Sequence, residues 1–169
     1  MWLGYSLLNL LVGPILRSKT NCGVPIAVTN TLIPDYDGKI SEQAALSMLK
    51  SMELVPVTCD SSISDDLTVV TNHVHLLPSD IASSSSSLPI VFLHGFDSSL
   101  MEGRRLLPLL SKDFEVFAVD ILGWGFNNHT NVKTFFPEAK IDHLKSYLQQ
   151  YVRKPCVLVG ASLGSFQLL

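Results

Sequence analysis

The segment VLVGASLG (157–164) places a serine between two glycines directly after an apolar run. Its last five residues have the form G-x-S-x-G, which is a weak signal on its own. The apolar run before them is typical of a buried strand, and the residues after Ser162 can begin a helix. A turn this sharp forces the serine into a strained backbone conformation, and small flanking residues avoid clashes there. The segment therefore predicts a strand, a tight turn and a helix, with the Ser162 hydroxyl exposed above the strand end.

Strands and helices alternate from Leu88 onward. The apolar runs LPIVFLHG, FEVFAVD and PCVLVG predict strands, and SLMEGRRLLPLL and FPEAKIDHLKSYLQQYV predict helices between them. Each predicted strand is apolar on both faces, which is typical of a parallel sheet covered by helices on both sides. A chain of 169 residues with 47% hydrophobic composition is long enough for one domain with a sizeable core. We therefore expect an α/β fold with a mostly parallel sheet and flanking helices.

Local patterns predict further elements. The stretch SEQAALSMLKSMEL indicates an amphipathic helix with Ser41 as its N-cap. LVPVTC and LTVVTNHVHLL, separated by a turn-like DSSISDD, favour two strands of a hairpin. Ser99 and Glu102 have the S-x-x-E spacing of a capping box, which predicts a helix start after HGFDS, although Gly103 weakens that helix.

The N-terminus is apolar, with no charged side chain before Arg17. This run is shorter than the ~20 apolar residues that span a bilayer, and Pro14 interrupts it. It lacks the basic n-region and cleavage site of a secretory signal and the Ser and Arg enrichment of a plastid transit peptide. We expect residues 1–16 to pack on the domain or to make peripheral contact with a membrane. The serines at 83–87 predict a flexible loop over residues 79–87.

Charge and cysteine content exclude other classes. A net charge of −3 and no long block of Lys or Arg leave no electrostatic footprint for nucleic acid. The three cysteines are far apart and do not cluster with histidine, which favours reduced structural thiols over disulfides or a zinc site. His73 and His75 would share one strand face, but no third ligand accompanies them. We expect neither a metal nor a cofactor.

Three segments resemble the α/β-hydrolase superfamily in order and spacing: VFLHGFDSS (91–99), FEVFAVDILGWGFN (114–127) and VLVGASLGS (157–165). The forms DILGWGFN and GASLGS are most similar to plant and cyanobacterial members. The resemblance implies that residues 54–169 are the N-terminal half of such a domain, without its C-terminal strands and helices. It does not extend to residues 1–53, which we interpret as an apolar, partly helical extension.

The resemblance implies roles for individual residues. Ser162 resembles the nucleophile, and the backbone N–H groups of Phe96 and Leu163 resemble the donors of an oxyanion hole. Asp120 resembles a structural residue of a loop near the pocket mouth. Four further matched positions are expected to support the tight turn at the serine (the nucleophile elbow) and the oxyanion loop: His94, Gly95, Gly160 and Gly164. The imidazole of His94 is expected to shape the loop rather than to act as a general base.

The catalytic partners of the serine are missing from the sequence. In this fold an acid and then a histidine follow the nucleophile, yet residues 163–169 contain no Asp, Glu or His. The resemblance implies a parent serine hydrolase that cleaves a small ester, thioester or amide through an acyl-enzyme on Ser162. A serine at this position argues against the epoxide-hydrolase and dehalogenase branches, which use a carboxylate.

For the chain as it stands, the alternative is a catalytically inactive truncated form that acts as a binding or interaction module. The plant-like motifs and the apolar N-terminus leave a plastid or a membrane surface as candidate locations.

Overall fold

The computed structural model describes residues 11–12, 39–78, 87–162 and 164 of the chain. Six strands form one mixed sheet in the order β1-β6-β4-β5-β3-β2. In chain order they are β1 Leu11–Val12, β2 Met52–Thr58, β3 Thr68–Leu76, β4 Ile90–Leu93, β5 Val116–Val119 and β6 Val157–Gly160.

Helices connect and cover the strands. The α-helices are α1 Gln43–Ser51, α2 Leu107–Leu110 and α3 Pro137–Tyr147. A 3₁₀ helix spans Leu100–Gly103, and a π-helical turn, Leu148–Val152, extends α3. These elements alternate with the strands from β4 onward, which confirms the predicted α/β class.

The centre of the sheet is parallel, and its flanks are antiparallel. Strand β4 pairs in parallel with both β5 and β6. The hairpin β2–β3 is antiparallel, as predicted, and β3 joins β5 in the antiparallel sense. The short β1 pairs antiparallel with β6. Because β4, β5 and β6 run the same way, the loops that follow them meet at one edge of the sheet.

Two apolar layers cover the sheet. Successive side chains of a strand point to opposite faces, and β4 follows this rule. Val91 and Leu93 belong to the layer under α3, together with Tyr147, whereas Phe92 packs in the layer with Met48 and Leu107. The apolar runs of β4 and β5 are buried for this reason, as predicted, whereas Val157, Leu158 and Val159 of β6 are only partly buried.

Two predicted helix starts differ from the structure. Glu42, not Ser41, precedes α1, and no side chain caps the helix. The Glu42 carboxylate instead pairs with the guanidinium groups of Arg104 and Arg105, at 2.9 and 2.7 Å. The predicted helix after Ser99 is broken into the 3₁₀ helix and α2, and the Ser99 side chain makes no capping hydrogen bond.

Gly103 explains why that segment stays close to the sheet. A Cβ on Gly103 would lie 2.8 Å from Leu107 Cδ1 and 3.1 Å from Phe92 Cε1. The missing side chain lets the 3₁₀ helix lie against β4. Gly103 is therefore a packing residue and more than a local weakness of a helix.

Several predictions fall on residues outside the described part of the chain. These are most of residues 1–16, of which only Leu11 and Val12 are described, and residues 79–86 of the serine-rich loop. Helix α1, assigned by sequence to the 1–53 extension, lies within the described part, and its Met48 joins the core beside β4. The division at residue 53 stays a prediction. No helix within the described ranges is long and apolar enough to cross a membrane.

A buried polar layer joins α3 to β3. His143 Nε2 lies 2.8 Å from the Thr71 hydroxyl, and His73 Nδ1 lies 3.0 Å from the Tyr147 hydroxyl. Burial lowers the pKa of both His73 and His143 to about 4, and neighbouring positive charge adds to the effect. The charged or titratable groups near His73 are His75 and the Glu53 carboxylate, which lies 3.8 Å from His73 Nε2. Those near His143 are His129 and Lys140.

This layer predicts loss of stability in mild acid. Both histidines are neutral when folded and titrate near pH 6.5 when unfolded, so protons favour the unfolded state as the pH falls from about 6.5 to about 4. We expect the melting temperature to drop between pH 7 and pH 5, and the drop to shrink in the double variant His73→Gln/His143→Gln. An equally steep drop in the double variant would assign the acid sensitivity to other groups.

Candidate active site

Ser162 lies at the carboxyl end of the central strands. Strand β6 ends at Gly160, which pairs with Leu93 of β4, and the Ala161 N–H donates to the Leu93 carbonyl at 2.9 Å. Ser162 then adopts φ of 49°, in the left-handed region that a side chain seldom enters, and the Gly164 N–H donates back to the Ala161 carbonyl at 2.9 Å. The Ser162 side chain is exposed. This local geometry is a tight turn directly after the strand, as the sequence predicts, and the helix predicted to follow it falls mainly on residues outside the described part of the chain.

Gly164 lets the turn approach the end of β4. A Cβ at this position would lie 2.5 Å from the Leu93 carbonyl oxygen and 2.6 Å from the His94 carbonyl oxygen. Only glycine allows the two backbones to come this close. The second glycine of the motif is therefore a packing requirement set by the neighbouring strand.

His94 is fully buried in the loop after β4. Its Nε2 accepts a hydrogen bond from the Ile121 N–H at 2.9 Å, so the ring hydrogen is on Nδ1. Nδ1 donates to the Gly95 carbonyl at 2.7 Å. With both nitrogens engaged inside the fold, His94 ties this loop to the end of β5 and has no nitrogen available for a proton from Ser162.

The loop that carries Phe96 lies beside the serine. A side-chain carbon placed on Gly95 would be 3.5 Å from Ser162 Cβ. Because a peptide unit is planar and trans, the Gly95 carbonyl that faces His94 makes the Phe96 N–H point the opposite way. No described residue accepts a hydrogen bond from this N–H. Phe96 is 69% exposed, and its ring packs edge-on against Trp124, with centroids 5.3 Å apart.

The other expected donor, Leu163, lies outside the described residues. The structure brings the remaining predicted positions together at one sheet edge. Their catalytic and supporting roles stay predictions: Ser162, Phe96, His94, Gly95, Gly160 and Gly164.

Asp120 is buried at the end of β5 and organises the loop that follows. Its carboxylate accepts hydrogen bonds from Asn72 Nδ2 at 2.8 Å, the Leu100 N–H at 2.6 Å and the Phe126 N–H at 2.8 Å. Burial raises the pKa of Asp120, while the three donors oppose this effect. A Cβ on Gly125, where φ is 66°, would lie 2.2 Å from Asp120 Cγ. The GWG segment therefore wraps around the carboxylate.

Replacing Asp120 with asparagine is expected to destabilise the fold. The amide leaves a donor facing at least one of the three N–H groups, and a buried unsatisfied donor costs about 1–3 kcal/mol. We expect a lower denaturant midpoint in urea unfolding, with an unchanged slope. Asp113→Asn, at an exposed position, is the matched control. A midpoint equal to that of the control would show that the carboxylate is dispensable.

A cavity of about 480 Å³ opens between the loops after β4 and β5. Its volume lies within the range of small-molecule sites. His129 lies in its wall, where burial lowers its pKa, and accepts a hydrogen bond from the Gly123 N–H at 3.1 Å. The walls are formed by Asp97, Ser98, Ser99, Gly123, Trp124, Gly125, Phe126 and His129.

Lys140 contacts the Trp124 ring that lines the cavity. Its Nζ lies 3.9 Å from the centroid of the Trp124 ring and also donates to the Leu122 carbonyl. Burial lowers the pKa of this lysine. Sequence reasoning missed Lys140, because an isolated lysine in a helix is indistinguishable from a solvent-facing one until α3 is packed.

Metal ligation has no support in the ranges that the structure describes. No group of three or more His, Cys, Asp or Glu side chains there could hold an ion. His73 bonds Tyr147, and His75 bonds Glu115 at 2.9 Å and stacks on Phe117.

Comparisons with known proteins agree on the family. Residues 90–169 match the model of the alpha/beta hydrolase family. Over 78 residues, the chain is 42% identical to the alpha/beta hydrolase domain-containing protein VTE7 of Arabidopsis thaliana. That match covers 46% of this chain and 24% of the relative, so the chain spans about a quarter of the relative's length.

Solved structures share the fold at low identity. Cfl2 from Burkholderia cenocepacia aligns with a TM-score of 0.54 and 21% identity, over 70% of this chain and 35% of that one. The epoxide hydrolase VrEH1 from Vigna radiata aligns with a TM-score of 0.50 and 16% identity, over 70% of this chain and 34% of that one. The sheet order, the loops at its carboxyl edge and these matches together support assignment of the chain to the α/β-hydrolase superfamily.

Proposed function

We propose that Ser162 is the nucleophile of a serine hydrolase that cleaves an ester, thioester or amide through an acyl-enzyme. The observation that carries this proposal is the conformation of Ser162. A non-glycine residue with φ of 49°, exposed at the carboxyl end of a parallel strand, stores backbone strain where a reactive hydroxyl would be needed.

The neighbouring loop supports the same chemistry. The N–H of Phe96 has no acceptor among the described residues and lies next to Gly95, which approaches Ser162. Attack of the serine oxygen on a carbonyl carbon would turn the carbonyl oxygen into an oxyanion. A free backbone N–H at this place would stabilise that charge in the transition state.

We infer that the general base comes from outside the contacts seen here. All five histidines of the chain are described, and none of their hydrogen bonds is to Ser162: His73 bonds Tyr147, His75 bonds Glu115, His94 bonds Ile121, His129 bonds Gly123 and His143 bonds Thr71. A serine hydroxyl without a base is a weak nucleophile at neutral pH, and the oxyanion hole alone leaves only a residual rate. We propose that the complete hydrolase supplies an acid and a histidine to Ser162, and that this chain by itself is at most weakly active.

The proposed substrate class follows from the serine. A serine at the elbow forms an acyl-enzyme, so the proposed substrate is a small acyl compound. The epoxide hydrolase among the structural neighbours shares the fold at low identity, and a shared fold does not indicate a shared substrate.

A fluorophosphonate probe tests the proposal. Because the base is missing from this chain, the exposure to the probe is prolonged, and we expect a single, slowly formed adduct, detected by intact-protein mass spectrometry and mapped by peptide analysis to Ser162. An adduct on a different serine would overturn the assignment.

Sequencing the transcript across the codon for Leu169 adds an independent test. A reading frame that continues into an Asp or Glu and then a His would supply the proposed base. A stop codon there, together with the absence of an adduct, would instead favour the alternative of a binding or interaction module.

A further inference from the structure

We propose that Glu102 is a positioning residue for the oxyanion loop, acting through the backbone of Gly95. This inference rests on the proposed function of Ser162 and Phe96. The Glu102 carboxylate accepts a hydrogen bond from the Gly95 N–H, with Oε2 2.8 Å from the nitrogen. The sequence had suggested that Glu102 caps its own helix, whereas its side chain reaches back seven residues to the loop.

The loop needs such a contact because its central residue is glycine. Gly95 has no Cβ, so sterics restrict its φ and ψ less than those of any other residue. A Cβ there would meet only ordinary contacts, the nearest at 3.5 Å, so the surroundings do not confine this residue. Without further restraint, the Phe96 N–H would sample many directions and pay an entropic cost on each turnover.

Two hydrogen bonds remove this freedom from opposite sides. The bond from the Gly95 N–H to Glu102 orients the peptide plane before Gly95. The bond from His94 Nδ1 to the Gly95 carbonyl orients the peptide plane after it. Since φ and ψ of Gly95 relate these two planes, holding both planes sets both angles. The second plane contains the Phe96 N–H, so its direction is determined before substrate binds.

Glu102 is placed for this task by its own short helix. The 3₁₀ helix lies against β4 because Gly103 has no side chain, and the Glu102 N–H donates to the Ser99 carbonyl at 2.9 Å. The carboxylate makes no ion pair with any described residue. Among the described residues, the side-chain hydrogen bond of Glu102 goes to the Gly95 N–H, so pairing with a surface cation does not explain where this carboxylate lies.

The charge of Glu102 should not be what matters. A carboxylate so close to the serine repels a developing oxyanion, whereas a hydrogen bond to the Gly95 N–H only needs an acceptor oxygen at the right reach. Glutamine keeps that reach and an acceptor oxygen. Aspartate keeps the charge and loses one methylene of reach. These two variants therefore separate position from charge.

The experiment measures the second-order rate of fluorophosphonate labelling of Ser162 and the hydrogen exchange of the Gly95 and Phe96 amides by NMR. We expect Glu102→Gln to label at least as fast as the natural protein. We expect Glu102→Asp and Glu102→Ala to label about 10-fold more slowly and to exchange the Gly95 amide about 5-fold faster, as loss of one hydrogen bond implies. Glu138→Ala, at an exposed position in the first turn of α3, is the control.

The outcomes separate this proposal from the one on which it rests. Unchanged Gly95 exchange in the Asp and Ala variants would overturn the role of Glu102, even if Ser162 is labelled. Slow labelling by the Gln variant would overturn it in favour of a charged role. If the natural protein does not label at all, the nucleophile proposal fails, while the amide exchange still tests the contact. Should Glu102→Ala fail to fold, the Gln and Asp pair gives the same comparison.

Discussion

Ser162→Ala is expected to abolish fluorophosphonate labelling of the protein. Ser162 is exposed, has a strained backbone and lies next to the loop that carries the proposed oxyanion donor, and these features favour reaction with the probe. Alanine removes the oxygen that would bond to phosphorus and leaves the turn otherwise intact. The measurement is the mass of the intact protein after prolonged exposure to the probe.

The control for this substitution is Ser146→Ala on helix α3, away from the turn. We expect it to label at the natural rate. Both variants should melt within a few degrees of the natural protein, because neither side chain contributes to the core. Equal labelling of Ser162→Ala and the natural protein would refute the nucleophile assignment.

Gly164→Ala is expected to destabilise the fold and displace the serine turn together. The new methyl group would meet the backbone oxygens of Leu93, the last residue of β4, and of His94, at 2.5 and 2.6 Å, and backbone atoms cannot move aside as the end of a side chain can. Overpacking of this kind costs about 1–3 kcal/mol, which corresponds to roughly 2–12 °C in melting temperature for a domain of this size. Labelling of Ser162 should fall as well, because the turn must move away from the Gly95 loop.

Gly95→Ala is the matched control for stability. The same methyl group there would meet its nearest neighbours at 3.5 Å, which is ordinary contact. We expect little change in melting temperature from this variant. Equal melting of the two alanine variants would mean that the turn has room next to β4, contrary to the structure.

The two substitutions show how the fold and the candidate site depend on each other. The serine is strained because its turn must pass between the end of β6 and the loop after β4. The strain is sustained by the parallel pairing of β4 with β6, which is part of the core. A site of this kind loses its geometry when its packing changes, even if every reactive atom is retained.

Local sequence patterns determined the α/β class, the β2–β3 hairpin and the turn at Ser162. These features depend on nearby residues: apolar runs bury themselves as strands, and small residues permit a tight turn. The structure differs from these sequence-based predictions mainly at the starts of helices. Ser99 and Glu102 have the spacing of a capping box, yet the glutamate accepts a hydrogen bond from the Gly95 N–H. It does so because the folded 3₁₀ helix lies next to the loop that carries Gly95, and a local sequence pattern does not reveal this contact.

Tertiary structure alone decided which polar side chains act on the site. Three contacts join segments whose pairing no local pattern encodes. They are the hydrogen bond from Asn72 to Asp120, the hydrogen bond from the Gly95 N–H to Glu102, and the cation–π contact of Lys140 with Trp124. The tautomer of His94 is likewise set by the Ile121 N–H from another strand end. The sequence determined where the serine and its turn would form, because that depends on neighbours along the chain. Which groups orient the loop beside it depended on neighbours in space, which only the packed sheet brings together.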